Sequence, residues 1–349
     1  MKRTALALLC LCILIALGGC KKGEEAPAPA DSPTASAAPV TEQQAVVSIG
    51  TPVPAPTAEP TATPVPTDTP APTPEPTDTP APTPEGLLGG RYDGFSYDGA
   101  VLEAEKYAEA ELAVTIRTVE DKETYSDYIT YYVTDIYIQD VTRLRTEAAS
   151  SKGFSAKYGE TSVKKMSDRV NALFAVSGDF HTHNIGLVIR NGELYRKTKG
   201  KYDICVLYRD GTMRTFTPEE YDVDSIIAED PWQVWTFGPG LLDHEGNPRT
   251  EFPNCQIKDR NPRCVLGYYE PGHYAVVMVD GRQSGYSMGL TMYDLAQLSY
   301  DLGFKAAYNL DGGKSAVLCW QGEVYNRPFD GGRPISDILY VTASERAGE

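Results

Sequence analysis

The chain has 349 residues, and its 48 Asp and Glu exceed its 32 Lys and Arg, which gives a formal net charge of −16 at pH 7. Because so acidic a protein repels the phosphate backbone, nucleic acid is excluded as an expected partner. Any anionic substrate must instead be bound by arginines that are placed locally at a site.

The first 19 residues have the pattern of an export signal. Lys2 and Arg3 precede an apolar stretch that is too short to span a bilayer, and this stretch ends at Leu17-Gly18-Gly19-Cys20. That ending resembles a bacterial lipobox, which implies acylation of Cys20 and a lipid-anchored protein on the extracytoplasmic face of the cell membrane. An ordinary secretory signal with a chance cysteine is the alternative interpretation.

Residues 20–90 contain most of the 26 prolines, together with many threonines and alanines. Large apolar residues are scarce in this segment, so it cannot build a hydrophobic core. We predict a disordered stalk over residues 20–90, followed by one folded region over residues 91–349.

The first half of the folded region is rich in β-branched and aromatic residues that favour strands. Two dipeptides, Asn191-Gly192 and Asp210-Gly211, are strong hairpin signals. The predicted elements are strands at 112–119, 128–139, 143–149 and 173–176, a short helix at 168–173, and hairpins whose strands are 186–190 with 193–196 and 204–209 with 212–216.

The second half has the pattern of a strand, a helix and a second strand. The apolar runs 274–279 and 304–308 flank a helical periodicity over 291–302, which starts with Thr291 and Asp294 as a capping box. Such a crossover usually joins parallel neighbouring strands. We therefore predict an α+β fold with a mixed β-sheet, hairpins, at least one strand-helix-strand crossover, and helices packed on the sheet.

Polar loops with an aspartate follow three of the predicted strands, at Asp179, Asp280 and Asp311. The two glycines after Asp311 permit left-handed backbone angles and the close approach of a ligand. If the strands that precede Asp280 and Asp311 are adjacent, both carboxylates lie at the sheet edge that ligands favour. A turn-capping role is the alternative for either aspartate.

A series of short motifs occurs in order between residues 172 and 341. The motifs are Ser177-Gly178-Asp179-Phe180, Ile189-Arg190-Asn191-Gly192, Phe237-Gly238-Pro239, Asn261-Pro262-Arg263, Val279-Asp280-Gly281-Arg282, Ser287 with Gly289-Leu290-Thr291, Asn309-Leu310-Asp311-Gly312-Gly313, and Arg333 with Ser336-Asp337. Together they resemble the phosphodiester glycosidase family, which includes an enzyme that removes N-acetylglucosamine from a sugar phosphodiester and many bacterial proteins.

The resemblance implies hydrolysis at the anomeric carbon of a sugar with a phosphomonoester as the leaving group. Because phosphate leaves readily, the site must chiefly neutralise the diester, stabilise an oxocarbenium-like transition state and supply a water or carboxylate nucleophile. Asp280 and Asp311 are the predicted catalytic carboxylates, with Asp179 as a third candidate. The predicted substrate and phosphate ligands are Arg263, Arg282, Asn309, Gly312, Gly313, Ser315 and Arg333.

Two positions depart from the usual motifs of the family. Ser177 stands where the first loop usually has Asn, and Lys314 stands where a third Gly is usual. Lys314 either contacts phosphate or crowds the loop and reduces activity. Two functions therefore stay open: an anchored hydrolase that trims a cell-wall polymer or exopolysaccharide, and a catalytically weak glycan-binding lipoprotein.

The cysteines lack the Cys-x-x-Cys spacing of a zinc site. His181 and His183 lie two residues apart, and a metal site or an acid and base pair is one interpretation of them. Because no third ligand is evident, we interpret them as ordinary loop residues and predict no metal and no cofactor. A loop-closing disulfide between Cys255 and Cys264 and free buried thiols are both compatible with the sequence.

Overall fold

The structure is a computed structural model that describes residues 88–154, 159–183 and 186–344. The predicted signal, the predicted acylation site at Cys20 and nearly all of the predicted stalk lie outside the described residues. Within the described part, no helix has the length and apolar character needed to cross a membrane.

Strands dominate the described residues, as the many β-branched and aromatic side chains favour. Three α-helices are present there: α1 Val163–Arg169, α2 Val223–Ala228 and α3 Met292–Asp301. The strands are β1 Val101–Leu102, β2 Lys106–Ala108, β3 Leu112–Asp121, β4 Ile129–Ile138, β5 Arg145–Ala148, β6 Phe174–Ser177, β7 Val188–Arg190, β8 Glu193–Arg196, β9 Ile204–Leu207, β10 Met213–Phe216, β11 Gln233–Thr236, β12 Arg263–Glu270, β13 His273–Val279, β14 Ala306–Leu310, β15 Leu318–Trp320, β16 Glu323–Val324 and β17 Asp337–Val341.

The strands form three sheets, in the orders β1-β2-β3-β4-β13-β12-β14, β10-β9-β11-β7-β8 and β16-β15-β6-β17-β5. All strand pairs among the described residues are antiparallel. The predicted mixed sheet is therefore wrong. The two predicted hairpins are confirmed as β7 with β8 and β9 with β10, because their turns carry the local backbone geometry that joins antiparallel strands.

The predicted strand-helix-strand unit exists as β13, α3 and β14, but the two strands are not neighbours. Strand β12, which the sequence pattern did not predict, lies between them and pairs antiparallel with both. Its first residues lie beside the ends of both neighbours, with Arg263 opposite Val279 and Cys264 opposite Leu310. An arginine is thus placed at the sheet edge where two aspartate-bearing strands end.

The helix ends follow their capping residues. Helix α3 has the predicted capping box, in which the Thr291 hydroxyl accepts from the Asp294 N–H and the Asp294 carboxylate accepts from Thr291. Helix α1 lies earlier than the predicted 168–173, because Ser162 caps its start by accepting from the Lys165 N–H. Asn171 then has a left-handed backbone with φ +48°, which leads the chain into β6.

The main hydrophobic core is shared by all three sheets. Leu266, Val276, Trp235, Phe174 and Leu339 belong to one cluster, and each is fully buried. A second cluster includes buried side chains of α3, Leu295 and Ala296 among them, with residues of β12 and β13. Burial of this much apolar surface holds the sheets together and fixes their edges relative to one another.

All cysteines of the described residues are free thiols. Cys264 is buried in the main core, whereas Cys255 is only partly buried. The possible disulfide between Cys255 and Cys264 is therefore not formed, and free thiols are the outcome.

Candidate active site

A cavity of about 420 Å³ lies at the sheet edge where β12 begins and β13 and β14 end. Its wall includes Phe237, which belongs to one of the sequence motifs, and the apolar side chains of Tyr202, Ile257 and Met292, which no local sequence signal marked as site residues. The predicted site residues that line it are Arg263, Arg282, Asn309, Asp311, Gly312, Gly313 and Arg333.

The loop after β14 is held by backbone contacts to two other segments. The Asp311 N–H donates to the Gly178 carbonyl at 2.9 Å, and the Ser177 hydroxyl donates to the Asp311 carbonyl at 2.9 Å. A Cβ atom on Gly312 would lie 2.5 Å from the Pro262 carbonyl oxygen, so only glycine allows this approach. Ser177 therefore fixes the loop that carries the carboxylate of Asp311.

Asp311 combines burial with one close cation. Its Oδ2 accepts from Arg333 Nη2 at 2.9 Å, and Arg333 Nε donates to the Ser315 hydroxyl at 2.6 Å. Burial raises the pKa of the Asp311 carboxyl to about 6, against the opposing effects of Ser315 and Arg333. Such a group is ionised at neutral pH and still basic enough to accept a proton, which suits a general base or a nucleophile.

Asn309 presents an unused acceptor beside this carboxylate. Its Nδ2 donates to the Gly238 carbonyl at 2.9 Å, whereas its buried Oδ1 has no hydrogen-bond partner among the described residues. A buried acceptor without a donor is uncommon in native proteins and is costly to leave unpaired. Through its Nδ2 group, Asn309 joins the end of β14 to the segment at Gly238.

Arg263, predicted as a phosphate ligand, uses most of its donors on the protein. Its Nε donates to the Leu290 carbonyl at 3.0 Å, and its Nη2 donates to the carbonyls of Ile257 and Asp259 at 3.1 and 2.6 Å. Burial lowers its pKa to about 10, which still leaves it charged at neutral pH. Arg263 thus links the segments that form the cavity wall through hydrogen bonds, and it adds positive charge there.

Arg282 is more available to a ligand than Arg263. Its Nε donates to Asn261 Oδ1 at 2.8 Å, and its terminal nitrogens make no hydrogen bond among the described residues. These nitrogens lie 3.6 and 3.7 Å from the position of a Cβ on Gly313, beside the loop of Asp311. Its φ of +59° is a strained conformation of the kind that persists at functional sites.

Asp280, in contrast, does not line the cavity. Its carboxylate accepts from the hydroxyls of Tyr132 and Tyr286 at 3.2 and 2.8 Å, from Asn326 Nδ2 at 2.7 Å and from the Arg327 N–H at 3.0 Å. Burial raises its pKa, and these hydrogen bonds act in the opposite direction. Asp280 therefore has a structural role, because its carboxylate links the end of β13 to Asn326 and Arg327.

Asp179 belongs to a sealed ionic cluster outside the cavity wall. Its Oδ1 lies 2.7 Å from Arg190 Nη2, and Arg190 Nε lies 3.3 Å from Asp337 Oδ2. His181 Nδ1 lies 3.6 Å from the other oxygen of Asp337. The ligand atoms of the two aspartates and His181 lie within 4.8 Å of one another, but the guanidinium of Arg190 already supplies the positive charge that a metal ion would.

Lys314 lies at the rim of the cavity and does not crowd the loop. Its ammonium group pairs with the Asp330 carboxylate, and both side chains are substantially exposed. Ser315, the remaining predicted ligand, is buried and acts through the hydrogen bond that its hydroxyl accepts from Arg333. Of the predicted site residues, Asp179, Asp280 and Ser315 therefore do not face the cavity.

Comparisons with known proteins agree with this architecture. Over 235 residues the chain is 29% identical to the SPbeta prophage-derived uncharacterized protein YomE of Bacillus subtilis (strain 168), a match that covers 60% of this chain and 36% of that relative's length. The structure resembles the catalytic domain of zebrafish N-acetylglucosamine-1-phosphodiester alpha-N-acetylglucosaminidase, which was solved in a form auto-inhibited by its pro-peptide. The two structures have a TM-score of 0.55 and 20% sequence identity, and the match covers 66% of this chain and 83% of the zebrafish chain.

A hypothetical protein from Synechocystis is similar in fold, with a TM-score of 0.51 and 13% identity over 67% of this chain and 62% of that one. At these identities the structural neighbours show the fold alone. The family model gives the remaining evidence: the resemblance to the phosphodiester glycosidase family, which the sequence motifs predict over residues 172–341, is confirmed by a match to the phosphodiester glycosidase model over residues 170–342.

Proposed function

We propose that this protein is a membrane-anchored, extracytoplasmic hydrolase that cleaves a sugar from a phosphodiester-linked glycan. The observation that carries the proposal is the position of Asp311, a buried carboxylate with a pKa of about 6, in a cavity that also holds three arginines. The family match supports a glycosidase-type activity on phosphodiesters.

The residues that line the cavity suit a leaving group that departs without being protonated by a general acid. Asp311 is the only carboxylate among the described residues that line it. Ordinary glycosidases use two carboxyl groups, one of them to protonate the leaving oxygen. A phosphomonoester is already a good leaving group, so a single carboxylate is sufficient when arginines neutralise the charge that develops on phosphate.

Three cavity residues have defined roles in this reaction. Arg282 binds the non-bridging oxygens of the diester with its terminal nitrogens, and Arg263 adds positive charge from the wall. Asp311 accepts a proton from water as the water oxygen bonds to the anomeric carbon. The bond from that carbon to the phosphate oxygen breaks, and its electron pair leaves with the phosphomonoester.

The substrate class is an N-acetylglucosamine 1-phosphodiester within a cell-wall polymer or exopolysaccharide. The match to the phosphodiester glycosidase family supports this part of the proposal. The zebrafish protein of similar fold is named as an enzyme that acts on N-acetylglucosamine 1-phosphodiesters. The strong acidity of the chain, with 48 acidic against 32 basic residues, agrees with a small or polymeric glycan partner rather than nucleic acid.

The anchoring part of the proposal depends on Cys20. We expect that Cys20→Ser releases the protein from membranes while the soluble fraction keeps its thermal unfolding transition, because acylation of this cysteine is the proposed attachment to the bilayer. Membrane fractionation measures this. Sedimentation of the Cys20→Ser protein with membranes as fully as wild type would show that the lipid-anchor interpretation is wrong.

The hydrolytic part is tested by turnover of an N-acetylglucosamine 1-phosphodiester by the purified mature protein. Asp311→Asn should lower kcat by about 100-fold or more, with substrate affinity nearly unchanged, because the amide keeps the shape of the loop but accepts no proton. Asp168→Asn is the matched control, since this exposed aspartate pairs with Lys164 and lies outside the cavity lining. Wild-type turnover by Asp311→Asn would remove the carboxylate from the mechanism, and binding without any turnover would favour a glycan-binding protein.

A further inference from the structure

The side chains that line the cavity carry a net positive charge, whereas the chain as a whole is strongly negative. Four cationic side chains and one carboxylate line the cavity, in a protein with a net charge of −16. Arg333 is paired with Asp311. Arg263 and Arg282, however, contact only neutral oxygen atoms among the described residues. A phosphodiester brings a single negative charge, so it leaves one of these two arginines without a counter-charge.

Lys314 extends the positive surface from Arg282 to the rim of the cavity, and the ring of Phe329 lies between the two cations. The guanidinium of Arg282 lies 5.5 Å from the centre of the Phe329 ring, and the ammonium of Lys314 lies 5.9 Å from the same ring. The side chains of Lys314 and its partner Asp330 are 43% and 64% exposed. Solvent and ligands therefore reach the point where a carboxylate now contacts Lys314.

The turn that carries Asp330 has a positive φ at three consecutive residues. Asp330 has a φ of +54°, and Gly331 and Gly332 continue with φ values of +72° and +86°. Glycine adopts such conformations readily, and Asp and Asn adopt them more often than other residues do. An exposed ion pair contributes little to stability, so an acidic group of a ligand can replace Asp330 at Lys314 with little loss.

We propose that Lys314 and Phe329 form an aglycone subsite that selects substrates with a second acidic group beyond the scissile phosphodiester. The proposal rests on the hydrolytic function of the cavity. Arg282 holds the scissile diester, and Lys314 binds a phosphate or carboxylate on the adjoining part of the aglycone, where the Asp330 carboxylate lies in the free protein. A glycan with repeated anionic units carries such a second charge, whereas a diester with a neutral aglycone does not.

The test uses the mature protein and three N-acetylglucosamine 1-phosphodiesters whose aglycones are neutral, phosphate-bearing or carboxylate-bearing. Wild type should have a kcat/KM about threefold or more higher for the acidic aglycones than for the neutral one, as expected for an exposed charge pair. Lys314→Ala should abolish this preference, and Asp330→Asn should increase it because the competing carboxylate is gone. Lys305→Ala, an exposed lysine at the opposite end of β14, should leave it unchanged.

The two acidic substrates distinguish phosphate from carboxylate as the second group. The preference should also decrease with added salt, since ions screen exposed charges. Equal kcat/KM for neutral and acidic aglycones in wild type, or an unchanged preference in Lys314→Ala, would overturn the subsite while the hydrolytic function stands. Absence of turnover for all three substrates would instead contradict the hydrolytic function, and the subsite with it.

Discussion

Two clusters of aspartate and arginine in this molecule use the same residue types under different solvation. In the sealed cluster, Arg190 contacts Asp179 at 2.7 Å and Asp337 at 3.3 Å, and all three side chains are fully buried. In the cavity, Arg333 contacts Asp311 at 2.9 Å, but the Arg333 side chain is 36% exposed. One cluster has its charges closed off by protein, and the other faces the space that a ligand would fill.

The difference shows what burial does to an ion pair. In the sealed cluster the charged groups are each other's partners, so removal of one leaves another buried without compensation. In the cavity the positive charges exceed the single carboxylate, and burial raises the pKa of Asp311 to about 6. The sealed cluster therefore serves stability, whereas the cavity keeps unused charge and basicity for a ligand.

The largest expected effect is on the stability of the sealed cluster. Arg190→Leu should lower the free energy of unfolding by about 3 to 5 kcal/mol, because two buried carboxylates lose their cation. Urea denaturation measures the loss. The control Arg209→Leu removes an exposed arginine that pairs with Asp230, and it should cost less than about 1 kcal/mol. Equal losses in the two variants would show that the sealed cluster does not stabilise the fold.

A smaller effect is expected for the arginine that faces the cavity. Arg282→Gln should raise the KM for a phosphodiester about tenfold, because a charge-assisted bond to the diester is lost, while the melting temperature changes little. Arg214→Gln, at an exposed position on β10, is the control. Steady-state kinetics that match wild type would assign the diester to Arg263 instead of Arg282.

The smallest expected effect is a shift of the pH profile. Because Asp311 must be ionised to accept a proton, kcat/KM should increase with pH, and the acidic limb of the profile should have its midpoint at about pH 6. Arg333 lowers this pKa, so Arg333→Gln should move the limb to higher pH. A limb that does not move would show that another group controls the profile.

The same carboxyl group affects stability with a defined sign. Its pKa is about 6 in the folded protein and near 3.8 in the unfolded chain, so folding binds protons between these values. The contribution of Asp311 to stability should therefore be lost as the pH rises from about 4 to about 6. Asp311→Asn should remove this loss in thermal unfolding measured across that pH range.

Local features of the sequence were sufficient to predict several elements. The hairpin at Asn191-Gly192 and the capping box of Thr291 and Asp294 depend on residues that are close in the chain, and both are present in the structure. The ordered motifs likewise predicted the resemblance to the phosphodiester glycosidase family, and the family model matches residues 170–342. In these cases the chemistry that decides the outcome lies within a few consecutive residues.

Pairing between distant segments was not predictable in this way. Strand β12 lies between β13 and β14, although the crossover pattern predicted that those two strands would be neighbours. That pairing depends on hydrogen bonds and core contacts between residues far apart in the chain. It also explains why Arg263, at the start of β12, lies at the same edge as the loop of Asp311.

The sequence by itself determined the residue types of the site: aspartates at strand ends, glycines that permit close approach, and arginines able to neutralise phosphate. Only the tertiary structure decided which of them face a ligand. Asp311 lines the cavity, whereas Asp280 is enclosed by four hydrogen-bond donors and Asp179 by the cation of Arg190. The physical reason is that solvation and hydrogen-bond partners, which distinguish a reactive carboxylate from a structural one, come from segments brought together by folding.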